Sequence, residues 1–152
     1  MSDYVAQLRW TLGEGSLQEG QYSTNHRIRF AGGLEAVMTS APDYGGDPRY
    51  VNPEEAMAAA LSSCHMMTFL ALCAKAGWKL TAYRDNAVAR LGKTEDGRMR
   101  VASITLHPEM EFAEGHEVSR DQLTEMHERA HRYCFVANAL SCEMDVVLSP
   151  AS

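Results

Sequence analysis

The side chains best suited to chemistry in this chain are its cysteines, Cys64, Cys73, Cys134 and Cys142, and the histidines that flank two of them. Cys64 stands between Ser63 and His65 inside a run without charge from Ala56 to Ala74. A thiol in such a run is commonly inert packing, yet polar groups placed mid-helix in a buried segment need partners or a cavity. Packing and thiol catalysis therefore both stay open for Cys64. Cys134 follows His127 by seven residues and His131 by three, spacings that share one face of a helix. A protonated His131 there would favour thiolate at Cys134. Cys73 lies nine residues after Cys64 and Cys142 falls on an inward strand position, and both read as packing residues.

The string His127-Glu128-Arg129-Ala130-His131 matches the HExxH pattern of zinc peptidases, in which two histidines four apart on a helix bind one metal. The longer form of that pattern fails, because Cys134 stands where glycine belongs and Ala137 where the third histidine belongs. A polar helix flank is the plainer reading. Metal binding by His127, His131 and Cys134 stays as an alternative, and only a distant carboxylate such as Glu143 could complete a peptidase site.

The elements that must position these groups are well marked. Asn52 is a good N-cap, Pro53 suits the first helical position and Glu55 completes a capping box, so a long helix starts there. Lys75 in the last turn and Gly77 just beyond predict its end. The uncharged part would span roughly 28 Å, enough to cross a bilayer. Its content argues against that, since Ser62, Ser63, His65 and Thr68 are polar and many of the remainder are alanine. A helix apolar on all sides needs cover on more than one of them, from sheet and from a second subunit.

Ser119 and Gln122 predict a second helix, with Leu123, Met126, Ala130 and Cys134 on one face and an end near Asn138. Leu140 to Leu148 then alternates as a half-buried strand. At the N-terminus, Ala6 to Leu12, His26 to Phe30 and Leu34 to Met38 predict a meander. Leu80–Leu91 and Met99–Phe112 flank the turn at 93–97 as a hairpin, with Pro108 at an edge or bend. The longest linker is Ser40–Val51. Strands, helix, hairpin, helix and strand in that order predict a single α+β domain over 1–152, without parallel βαβ winding.

The chain has 152 residues, with 14 Lys+Arg against 20 Asp+Glu, for a net charge of -6. That balance excludes partners held mainly by phosphate neutralisation, so neither nucleic acid nor a membrane is expected. The residues from Met1 onward lack the basic, apolar and small-residue succession of a secretory signal, so a reducing cytoplasm is expected, where cysteines stay thiols.

The run from Asn52-Pro53-Glu54-Glu55 through Ser62-Ser63-Cys64-His65 to Leu70, together with His131-Arg132-Tyr133-Cys134-Phe135-Val136-Ala137-Asn138, closely resembles the OsmC/Ohr family. The resemblance extends over nearly the whole chain. It implies an intertwined homodimer of α+β subunits, a thiol-dependent peroxidase acting on organic hydroperoxides. By motif, Cys64 resembles the peroxidatic cysteine and Cys134 the resolving one. The implied cycle runs through a sulfenic acid and a disulfide, is reset by a dithiol of dihydrolipoyl type, and requires no metal or organic cofactor.

The resemblance also implies an arginine beside the thiolate, held by a glutamate at the position of Glu54. In a straight helix Glu54 stands about 15 Å from Cys64 along the axis, so something must bridge them. Related sequences often carry that arginine two residues before the histidine of the second strand, where this chain has Thr24 before His26. Arg27, Arg29 and Arg49 remain as candidates. A non-catalytic domain of the same fold, holding a small apolar ligand between subunits, is the alternative that Thr24 favours.

Overall fold

The structure is a computed structural model and is described for residues 1–150. The chain divides into two compact units, Met1–Ala56 and Met57–Ser152. In the first, β1 (Ala6–Arg9), β2 (His26–Phe30) and β3 (Glu35–Met38) form the expected antiparallel meander in that order. Arg9 faces Arg27 and Gln7 faces Arg29 across β1 and β2. The linker after β3 holds a 3-10 turn at Pro42–Tyr44, and Val51 bridges back to Met38.

Helix α1 (Pro53–Ala76) opens as its residues predict: the Glu55 amide donates to Asn52 Oδ1 at 2.8 Å, and the Asn52 amide to Glu55 Oε2 at 3.1 Å. It closes on Gly77, whose φ of 71° is open to glycine. The Gly77 amide donates to the Ala74 carbonyl and the Trp78 amide to that of Cys73, the paired bonds of a Schellman end.

In the second unit α1 buries a single stripe, Ala58, Leu61, His65, Phe69 and Cys73, rather than its whole circumference. Met67 and Leu70, off that stripe, are 57 % and 39 % exposed. The chain alone therefore covers one side of the helix, and the expectation of a helix buried on most sides is not met within it. Ala58 and Leu61 pack with Ile104, Leu106, Cys134 and Ala137, whereas Phe69 and Cys73 pack with Met126 and Ala130.

The two long stretches expected as one hairpin are each divided. β4 (Leu80–Asp85) pairs with β7 (Pro108–Phe112), and β5 (Val88–Lys93) pairs with β6 (Met99–Leu106), in two separate sheets. The bends fall at Asn86–Ala87 and at His107, immediately before Pro108. Asp85 holds them together by accepting the His107 amide at 2.7 Å, while His107 Nδ1 meets the Asn86 carbonyl at 2.8 Å.

Helix α2 (Arg120–Tyr133) has the complete capping box of Ser119 and Gln122 but stops five residues short of the expected end. Cys134 is extended, with φ −73° and ψ 117°, and a separate short helix α3 (Phe135–Ala139) follows. β8 (Glu143–Val146) then runs parallel to β6, against the expectation of no parallel winding. The reason is the crossover through β7, α2 and α3, long enough to bring the chain back in the same direction. Half-burial still alternates from Leu140 to Leu148, although the ladder covers only the middle of that stretch.

Asn52→Ala removes the acceptor at the first turn of α1 and is predicted to lower stability by about 1 kcal/mol. The urea midpoint should fall with an unchanged slope, Asn52→Asp should retain most of it, and an unchanged midpoint for Asn52→Ala would contradict the cap's role.

Candidate functional site

Within the second unit, Cys64 on α1 and Cys134 between α2 and α3 share one apolar cluster. Cys64 is half-buried and Cys134 fully buried, and both are free thiols. Their acidities are displaced in opposite directions. Burial pushes the Cys64 thiol up, but hydrogen bonds to its sulfur from the Val136 amide, the Cys134 thiol and the Phe135 amide outweigh burial and bring it below the ordinary thiol value. The Thr68 hydroxyl contributes least to the sulfur, since its proton goes to the Cys64 carbonyl at 2.9 Å. Cys134 is raised, first by burial and further by the neighbouring Cys64 sulfur, although the Ala137 amide, 3.4 Å from its Sγ, opposes this.

The thiol brought below its ordinary value is Cys64, the one that the resemblance marks as peroxidatic, and not Cys134, which a protonated His131 would have favoured. Cys134 lies beyond the end of α2, and His131 has no part in its shift. Cys73 is buried and apolar in its surroundings, which pushes its thiol up to about 11, in keeping with packing. Cys142 packs half-buried against the cluster that contains Cys134.

Ser62 and His65, in the middle of α1, find side-chain partners inside the second unit. The Ser62 hydroxyl donates to Asp85. His65 Nε2 and His127 Nδ1 are 2.9 Å apart, with ring planes within 2° of each other, and His127 stacks on Phe69 at 4.3 Å. Both histidines are buried. Burial first, with the neighbouring His131 adding to it and Asp85 opposing it, lowers His65 to about 4; burial and His65 lower His127 to about 3. Both rings are therefore neutral at ordinary pH. The HExxH histidines do not converge with Cys134: His127 belongs to His65, and among the described residues no three of His, Cys, Asp and Glu are placed to hold a metal ion. His65 was identified only as a neighbour of Cys64. Its partnership with His127, 62 residues away, had no local signal.

In the first unit, Glu54 is half-buried and its Oε2 has no hydrogen-bond partner among the described residues. Arg49 is engaged with Asp47 through three contacts of 2.6–3.1 Å, and Arg27 lies 3.9 Å from Glu35. Thr24 belongs to a directional chain of hydroxyls. The Asp47 amide donates to Thr39, Ser40 donates to the Tyr44 carbonyl, and Thr24 links Thr39 and Ser40 at 3.2 and 2.9 Å. Thr24 accordingly fastens the entry of β2 to the segment following β3.

The family model described as OsmC-like protein matches residues 45–149. Among solved structures, an OsmC-like protein of unknown function from Vibrio cholerae is 34 % identical, with a TM-score of 0.92 over 98 % of this chain and 100 % of that one. An organic hydroperoxide resistance protein from Elizabethkingia anophelis is 21 % identical, with a TM-score of 0.77 over 99 % of this chain and 98 % of that one. OhrB of Bacillus subtilis, also an organic hydroperoxide resistance protein, is 17 % identical, with a TM-score of 0.71 over 97 % and 98 %. No curated protein matches the chain.

The two buried imidazoles generate a pH prediction. Their pKa values are lowered in the folded state to about 4 and about 3, from 6.5, so the unfolded chain binds protons first as pH falls. Their contribution is complete above pH 6.5 and declines below it, by up to about 1.4 kcal/mol per pH unit for each ring. The urea midpoint of the wild type should fall more steeply from pH 6.5 to about 4 than that of the His65→Leu/His127→Phe double variant, and equal slopes would contradict the buried neutral pair.

Proposed function

The chain belongs to the OsmC-like family, and from that membership we propose that it is a thiol-dependent peroxidase that reduces organic hydroperoxides, with Cys64 as nucleophile and Cys134 as resolving thiol. The observation that carries the reading is the opposed displacement of the two thiols, with the more acidic one hydrogen-bonded by the other. A nucleophile must be thiolate, and a resolving cysteine is best kept protonated until it is needed.

In the proposed cycle the Cys64 thiolate attacks the terminal oxygen of ROOH. The O–O bond breaks, the sulfur becomes a sulfenic acid, and the alkoxide leaves as alcohol after taking the Cys134 proton. The Cys134 thiolate then attacks the Cys64 sulfur, forming the disulfide and releasing hydroxide, which takes a proton from solvent to give water. Two electrons and two protons from an external dithiol of dihydrolipoyl type reset the pair. A reducing cytoplasm suits this requirement.

Glu54 is assigned a supporting role: its unpartnered carboxylate oxygen suits a guanidinium. Arg29, unlike Arg49, is not tied to a neighbouring carboxylate among the described residues. A second copy of the chain would cover the exposed apolar side of α1 at Met67 and Leu70 and so make the homodimer. Although α1 is long and apolar enough by length and composition to cross a membrane, its buried stripe favours a core helix. The engagement of Thr24 by hydroxyls favours a second reading, a non-catalytic domain of the same fold holding a small apolar ligand.

Stopped-flow consumption of cumene hydroperoxide with dihydrolipoamide separates the two. Cys64→Ser should lower the rate by at least about a hundredfold. Cys134→Ser should leave one turnover and a Cys64 sulfenic acid that dimedone traps. Wild type and Cys64→Ser both reacting at the background rate would overturn the peroxidase and leave the binding domain.

A further inference from the structure

We propose that the polar face of the N-terminal sheet binds a diphosphate group, held by Arg9 and Arg27 on one rung and by Arg29 on the next. Strand alternation and register put Gln7 and Arg9 of β1, Arg29 and Arg27 of β2 and Glu35 of β3 on the same face. They line a groove of about 520 Å³. That volume lies within the range of about 300–1,000 Å³ typical of small-ligand sites. The first unit has four arginines and no lysine. Three of the four stand in this groove, and the fourth, Arg49, is engaged with Asp47.

Arg9 stands directly opposite Arg27. Like charges facing each other across an antiparallel pair oppose its formation. The sheet supplies little to offset them. Glu35 is the one carboxylate lining the groove, and it lies 3.9 Å from Arg27 with both side chains exposed, an arrangement that contributes little. Neither Arg9 nor Arg29 forms an ion pair among the described residues. An anion seated between the strands turns the repulsion between Arg9 and Arg27 into a shared attraction.

The spacing and the charges select the ligand. A guanidinium meets phosphate oxygens through two N–H groups at once. Arg29 lies two residues from Arg27, about 6.8 Å along the strand. One phosphate fits between Arg9 and Arg27, and a second linked to it reaches toward Arg29, where the Gln7 amide stands opposite as a further donor. Extended polyanions are selected against. The chain carries a net charge of -6, which repels a long phosphate surface, whereas screening over roughly 10 Å leaves a small anion in the field of the local arginines. The two thiols lie in the second unit, so this binding is independent of their chemistry.

The test is isothermal titration calorimetry of the full-length protein with sodium pyrophosphate, ADP and inorganic phosphate, at low salt and without magnesium. Pyrophosphate should bind saturably and about tenfold more tightly than phosphate, because it engages one more guanidinium. Arg9→Gln should weaken pyrophosphate about threefold, whereas Glu35→Gln should tighten it by a similar factor, a gain that no loss of folding can produce. Arg129→Gln, which removes an exposed cation on α2, should leave binding unchanged. ADP binding at least as tightly as pyrophosphate supports a diphosphate ester as the ligand, and weaker binding of ADP supports the free anion. No saturable heat with either diphosphate, phosphate binding as tightly as pyrophosphate, unaltered binding in Arg9→Gln or Glu35→Gln, or an equal loss in Arg129→Gln would each overturn the proposal.

Discussion

The structure around the candidate thiols depends on an interruption of one helix. Had α2 continued through Cys134, the amides of Phe135, Val136 and Ala137 would have been spent on carbonyls four residues back. The extended conformation at Cys134 releases them instead. Phe135 and Val136 turn to the sulfur of Cys64, and Ala137 to that of Cys134. Neutral donors thereby do, within one unit of one chain, part of what a cation does for a thiolate elsewhere. Burial works against the same thiolate, and the sign of the outcome rests on the hydrogen bonds outnumbering that opposition.

The donors would be useless if α1 were free to rotate. A helix with few charges and small side chains has little to fix its rotation by packing alone, and the polar residues flanking Cys64 supply it. Ser62 is tied to Asp85, which also holds the bend at His107, and His65 is tied to His127 on α2. Ser62 and His65, three residues apart, leave α1 on neighbouring positions of one face and lie on either side of Cys64 in sequence, so together they fix the rotation of the turn that carries the sulfur. Because the imidazole pair is buried and uncharged, it adds this orientation without the cost of desolvating an ion.

Much of this was legible in the residues, and the exceptions have physical causes. Asn52, Glu55 and Gly77 act locally, so the limits of α1 follow from them alone. Period-two burial from Leu140 to Leu148 was equally clear, but direction is not encoded in alternation, and the parallel pairing with β6 depends on a crossover of many residues. The break at Cys134 carries no glycine or proline, and the apolar period of α2 runs through it, so periodicity extended the helix too far. The pairing of Cys64 with Cys134, and Cys64 as its nucleophile, were reached by resemblance, whereas the spacing of His131 favoured thiolate at Cys134 and could not show where the freed amides point. Thr24, noted for the charge it lacks, proved to be a link in a hydroxyl chain that no spacing rule describes.

The most direct measurement of the central claim is the pH dependence of alkylation at each thiol, followed residue by residue by mass spectrometry with iodoacetamide in the native protein. Cys64 should titrate below an ordinary thiol and well below Cys134, and Cys134→Ala should move Cys64 upward by removing one of its donors. A Cys64 that titrates at or above Cys134, or that is unmoved by Cys134→Ala, would contradict the account.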